Sequence, residues 1–201
     1  MLRLTELKLP LDHTDEDLRA ALLKRLRVGA DDLVKFTVFR RAADARKPKS
    51  IFLIYALDVT LKNEAVVLQQ LRGDRNVVRA PDMEYRFVTH AATPPAQCPV
   101  VIGAGPCGLF AALVLAQMGF RPIVLERGKV VRERTKDTFA FWRRHELNPE
   151  SNAQFGEGGA GTFSDGKLYS QVKDPRFLGR KVLTEFVKAG APPVILYAAM
   201  S

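Results

Sequence analysis

The stretch PVVIGAGPCGLFAALVLAQMGFRPIVLERG, residues 99–128, constrains this chain more than any other. The apolar run Val100-Val101-Ile102 reads as a strand buried in a parallel sheet. Gly103, Gly105 and Gly108 follow it as G-x-G-x-x-G. Apolar residues at Leu109, Ala112, Leu113 and Ala116 then predict a helix from Pro106 to Met118, ended by Gly119. Pro106 suits a first turn, where its missing N–H has no intrahelical partner. Ile123-Val124-Leu125 reads as a second strand, ending at Glu126. The order strand, glycine turn, helix, strand is a βαβ unit. In such a unit the first glycine permits a tight turn, the second lets a pyrophosphate approach the backbone, and the third lets helix and strand lie close. The helix N-terminus then faces the phosphates.

Glu126 stands 18 residues beyond Gly108, where a carboxylate accepts the hydroxyls of an adenosine ribose. Its charge would repel a 2′-phosphate, which disfavours NADP and leaves NAD and FAD open. Cys107 sits at the helix start, where thiol pKa values fall, but no C-x-x-C accompanies it and a packing role is the simpler reading. Arg127 follows Glu126 directly. Arg132 and Arg134 come soon after, either within reach of a pyrophosphate or on a solvated helix face. A second glycine cluster, FGEGGAGTFSDGKL, places five of the chain's fourteen glycines between Gly156 and Gly166. Such a run serves tight turns or a close approach of backbone N–H groups to a ligand.

The first half has a different pattern, β-α-β-β-α-β. LRLTELKL alternates like a strand, and DEDLRAALLKRL spaces Leu18, Leu22, Leu23 and Leu26 as a helix capped by Thr14 or Asp15. VKFTVFRR and IFLIYALDVTL read as strands joined by a polar link, Asn63 to Leu71 as a helix, and VVRAPDMEYRFV as a broken strand. That order predicts a ferredoxin-like α+β domain over residues 1–92. The small, proline-rich HAATPPAQCP marks a linker, with the boundary near residues 91–97 and a Rossmann-type domain over 97–201. The fold class expected is α/β, in two domains.

Ferredoxin-like domains also bind RNA, and the net charge of +9 raises that alternative, or an acidic protein partner. Residues 1–96 carry 17 basic and 13 acidic groups, a balance of +4, and residues 97–201 carry 14 and 9, a balance of +5. Excess charge so evenly interleaved with acids argues against nucleic acid. The densest basic patch, Arg40, Arg41, Arg46, Lys47 and Lys49, falls on a predicted hairpin turn, and Phe36, Phe39, Phe52 and Tyr55 lack the consensus of an RNA-stacking surface. No apolar run is long enough to span a membrane, no leader pattern opens the chain, and a cytoplasmic location is expected. His13, His90 and His145 have no ligand spacing, and Cys98 and Cys107 flank a strand that keeps them apart, so neither a metal nor a disulfide is expected. No catalytic residue is legible.

VVIGAGPCGLFAALVLAQMGFRPIVLERG, followed by RERTKDTFAFW, LNPESNAQFGEGGAGTFSDGKL and VKDPR, resembles a family of bacterial flavoproteins, the FAD-dependent or NAD(FAD)-utilising dehydrogenases. VFRRAADARKPKSIFLIYALDV resembles the small N-terminal domain of that family. The likeness runs from about residue 30 to 190, and the second glycine cluster is its most specific part. It implies an FAD-binding fold of the glutathione-reductase type and redox chemistry.

On that resemblance the cofactor-binding residues are Gly103, Gly105, Pro106, Cys107, Gly108, Glu126, Arg127 and Arg134 at the adenosine diphosphate end. The amides of Gly158, Gly159, Ala160 and Gly161, with the hydroxyls of Thr162 and Ser164, would lie along the middle of the cofactor, and Lys167 would place charge near reduced flavin. Members of the family continue well beyond this length, with a closing unit that carries a Gly-Asp pair. The only such pair here, Gly73-Asp74, precedes the fingerprint, and no second G-x-G-x-x-G offers a nicotinamide site. The chain is therefore expected to be the N-terminal portion of a flavoprotein, with any nicotinamide cofactor belonging to full-length relatives.

Overall fold

The computed structural model describes residues 1–47, 50–93, 96–164 and 173–198. By contact the chain divides into two units, Met1–Tyr85 with Leu168–Ser201, and Arg86–Lys167.

The first unit is built on β1 (Leu2–Pro10), α1 (Asp15–Leu26), β2 (Leu33–Asp44), β3 (Phe52–Leu61), α2 (Glu64–Gln70) and β4 (Val77–Arg79). Its sheet has the order β2-β3-β1-β4, and every neighbouring pair is antiparallel. Thr14 caps α1 through a reciprocal capping box with Asp17, which fixes where the helix begins. Leu18, Leu22 and Leu26 recur at helical spacing and pack with Leu2, Leu4, Leu57 and Val59 into the core between the helices and one sheet face. The broken strand expected after Val77 keeps strand geometry only to Arg79.

β1 does not alternate as simply as its sequence reads. Its leucines stand at 2, 4, 7 and 9, so strict alternation would turn Leu7 and Leu9 away from the core. A bulge between Leu4 and Leu7 absorbs the odd residue, with Glu6 in the left-handed region at φ 58°. All four leucines are buried on the same face as a result.

The opposite face carries a polar layer. Arg3 donates to both carboxylate oxygens of Asp58, at 2.7 and 2.9 Å, and both residues are buried. The Arg3 guanidinium lies 3.4 Å from the centre of the Phe39 ring, and Arg180 of α5 (Leu178–Lys188) approaches the same ring at 5.7 Å. The Arg41 N–H donates to Tyr197 O at 2.6 Å, and Arg180 Nη1 donates to Leu196 O. These contacts explain why residues 168–201, assigned by sequence to the second domain, group with the first. The break between units, at Tyr85–Arg86, also precedes the expected 91–97 boundary. Within the basic patch, Arg46 is paired with Asp44 at 2.7 Å and Arg41 stands over the Tyr197 ring at 5.4 Å. Tyr55 is buried and Phe36 packs against the core.

The second unit opens with β5 (Val100–Ile102), α3 (Pro106–Gln117) and β6 (Ile123–Leu125). β5 and β6 pair in parallel, Val100 with Ile123 and Ile102 with Leu125, so the predicted βαβ connection is present. The expected burial of β5 is not. Ile102 is 87% exposed and Leu125 53%, because among the described residues each strand has only the other as a neighbour. α4 (Val131–Arg144) and a 3-10 turn, Gly159–Phe163, complete the unit. Among the described residues no helix is long and apolar enough to cross a membrane.

Candidate dinucleotide site

The site begins with two glycines that the backbone requires. Gly103 turns the chain at φ 98° while its N–H donates to Leu125 O at 2.7 Å, which joins the turn to the end of β6. Gly108 lies so close to this turn that a Cβ there would overlap the carbonyl oxygen of Gly103. Gly105 is different. It is the N-cap of α3 with ordinary φ, and a Cβ on it would meet nothing within 4 Å. The chain's own packing does not demand a glycine at 105; only a ligand lying against the backbone would.

Glu126 closes the opposite side. Its Oε2 accepts the Ala104 N–H at 2.6 Å and its Oε1 accepts the Gly128 N–H at 2.7 Å. These two backbone bonds, Ala104 first, hold its carboxyl below the usual glutamate range, with smaller help from the Arg127 N–H and the Arg134 charge against a desolvation that acts the other way. An ionised carboxylate offers about four acceptor positions, so these backbone bonds do not exhaust its capacity to accept from a ribose. Because the folded pKa is depressed, the stability from Glu126 is present above the ordinary value of 4.5 and lost as pH falls through the depressed one. A Glu126→Gln variant should therefore be weaker than wild type at neutral pH and converge with it in acid. Urea unfolding followed by the fluorescence of Trp142, the only tryptophan, measures this. A constant difference at all pH values would exclude the charge as its origin.

Gly103, Gly105, Glu126, Gly156 and Gly159 line one cleft of about 410 Å³. Arg127 is exposed at its rim, 2.6 Å from Glu150. Ile102, Glu150, Gln154 and Phe155 also line it, although no sequence motif marks them as site residues. Their only signal in the sequence is position, Ile102 directly before the first glycine turn and the other three shortly before the second glycine cluster. Pro106 and Cys107 are exposed on the first turn of α3, and Cys107 is a free thiol.

The second glycine cluster packs against the first. Gly158 N–H donates to Ala104 O at 2.8 Å, and a Cβ on Gly159 would stand 2.9 Å from Pro106 Cδ and 3.2 Å from Gly105 Cα. Two of the four amides expected along a ligand are thus committed within the chain, Gly158 to Ala104 and Gly159 to Gly156 O at 2.9 Å. Ala160 and Gly161 lie exposed in the 3-10 turn. The Thr162 hydroxyl donates to Glu157 O at 3.2 Å, and the Ser164 N–H donates to Gly161 O at 3.2 Å. Lys167 lies outside the described residues.

Arg134 differs most from its expected place. Its side chain is fully buried rather than presented to a pyrophosphate or to solvent. Nε donates to Asn152 O at 2.7 Å, Nη1 to Glu157 O at 2.5 Å and Thr162 Oγ1 at 3.3 Å, and Nη2 to Ala153 O at 2.9 Å and Gly159 O at 2.8 Å. Burial lowers its pKa and the Glu126 charge opposes that shift. Among the described residues no three His, Cys, Asp or Glu side chains gather as a metal site requires.

Residues 97–149 match a family described as FAD binding domain, and residues 1–60 match a family described as domain of unknown function (DUF8436). The chain is also 39% identical, over 196 residues, to an uncharacterized protein of Clostridium beijerinckii. That similarity covers 98% of this chain and 36% of the relative, so the chain spans about a third of the length of the curated relative it matches.

Proposed function

We propose that this chain is an FAD-binding oxidoreductase module whose glycine turn and Glu126 hold the adenosine diphosphate half of the cofactor. One observation carries the reading. Gly105 borders open space in a cleft whose other wall is an ionised carboxylate fixed to the adjoining amide. The match of residues 97–149 to the FAD binding domain family supports FAD over NAD. In this reading the second unit is of Rossmann type, supported by the parallel pairing of β5 with β6 around α3. The first unit is ferredoxin-like, supported by the order β2-β3-β1-β4. The module works in the cytoplasm, with a nicotinamide cofactor among the candidate electron donors or acceptors.

The residues present fit the group. Gly105 leaves room for the pyrophosphate, Glu126 accepts from the ribose, and the exposed rim around Arg127 admits the remainder. When bound, the isoalloxazine ring supplies the electron transfer, and the protein supplies binding, orientation and charge. Reconstitution with FAD, desalting and a visible spectrum test the reading directly. A chain that emerges colourless and without measurable FAD affinity would sink it. Glu126→Ala is expected to weaken FAD binding by about 10- to 150-fold, the equivalent of one charge-assisted bond of about 1.5–3 kcal/mol. Glu126→Gln, which keeps an acceptor oxygen, should lose less. Equal and negligible losses in both would remove Glu126 from the site.

A further inference from the structure

Arg134 is a buried cation whose hydrogen bonds go to neutral oxygens, four backbone carbonyls and one hydroxyl, with the Phe163 ring 4.9 Å from its guanidinium. Burying a guanidinium in this way is unfavourable unless its hydrogen bonds are all made. The fork geometry of arginine is what allows three nitrogens to reach carbonyls at Asn152, Ala153, Glu157 and Gly159 together. The glycines beside it accommodate that side chain. At Gly156, φ is 122°, and a Cβ would stand 2.6 Å from Arg134 Cδ and 3.0 Å from Nε.

The consequence reaches the cleft. Glu157 O and Gly159 O, both held by Arg134, flank the Gly158 amide, and that amide donates to Ala104 O. The other side of the same residue, Ala104 N–H, is held by Glu126. The turn that precedes Gly105 is thus fixed from both sides, once by the carboxylate in the cleft and once by a loop centred on a buried arginine.

We propose that Arg134 is a positioning residue for the dinucleotide site, setting the Gly103–Gly105 turn from behind through the glycine-rich segment 156–162. It touches no cofactor atom itself. The proposal rests on the FAD-binding reading and assigns the second glycine cluster a support role within it.

The test uses the full chain, titrated with FAD by flavin fluorescence, together with hydrogen exchange read by peptide. Arg134→Lys keeps the charge and the helix but reaches fewer carbonyls. It is expected to weaken FAD binding about tenfold or more and to speed exchange over 152–164 and 103–105 by a similar factor, with the sheet of the first unit unchanged. In Arg134→Ala, added guanidinium ion is expected to restore FAD binding where the same concentration of ammonium does not. A loss of general stability would not respond in that way. Wild-type FAD affinity in Arg134→Lys overturns the proposal alone, as does unchanged exchange over 152–164. If a variant loses the fold of its second unit, rescue by guanidinium decides, and its absence overturns the proposal. A wild-type chain that binds no FAD overturns the binding reading, and this proposal falls with it.

Discussion

Replacing Gly108 by alanine is expected to remove about 3 kcal/mol from the stability of the Arg86–Lys167 unit, at the upper end of what overpacking costs. The new methyl would overlap the carbonyl oxygen of Gly103 and stand 3.0 Å from its carbonyl carbon. A flexible side chain could rotate away, but this neighbour is backbone, and its turn is tied to β6 through the Gly103 N–H. Relief therefore requires α3 to lift from β5, which opens the crossover itself. Urea unfolding followed by Trp142 fluorescence reports this unit, since the first unit contains no tryptophan. Gly105→Ala is the control, because its methyl meets nothing within 4 Å, and its stability should stay within about 0.5 kcal/mol of wild type. Equal midpoints for the two variants would show that the tight approach at Gly108 does not matter.

The second large effect belongs to the first unit. Asp58→Ala should destabilise it by about 3–5 kcal/mol, the range for removing one partner of a buried pair. Arg3 would keep its charge in a buried place with both carboxylate bonds gone. Arg180 would aggravate the loss. Burial lowers the Arg180 pKa, the Asp58 charge opposes that shift and the Arg3 charge adds to it, and both guanidinium groups share the Phe39 ring. Without Asp58, two cations share one ring with no carboxylate to offset them, so α5 should loosen from the sheet together with β1. Hydrogen exchange over residues 178–188 and 2–10 reads both at once. An apolar replacement of the pair, Arg3→Met with Asp58→Leu, should restore much of the loss. Protection unchanged in Asp58→Ala would mean that the polar layer does not hold α5.

How much was legible depended on the range of the interactions involved. The glycine fingerprint, both strands around it and the limits of α1 follow from local rules: periodicity, a capping box, and a turn with a positive φ at Gly103. The β1 bulge was encoded too, in the spacing of four leucines, but reading it requires knowing that all four share one core. Arg134 was legible as a cation near a predicted anion site. Its burial was not, because the carbonyls that bury it lie 18 to 25 residues further along the chain.

The sequence by itself thus determined the βαβ turn, the placement of Glu126 at its end and the strand-helix order of the first unit. Each of these is read along one continuous stretch of sequence, where periodicity, spacing and steric rules act. The tertiary structure decided which glycines serve the fold and which border the cleft, since a Cβ at Gly108 would meet the Gly103 carbonyl and one at Gly105 would meet nothing within 4 Å. It also decided that α5 joins the first unit, through an arginine meeting a phenylalanine more than a hundred residues away in sequence. It turned Arg134 inward to the second glycine cluster rather than outward, because a guanidinium takes the side on which several carbonyls converge, and only the folded chain brings them together.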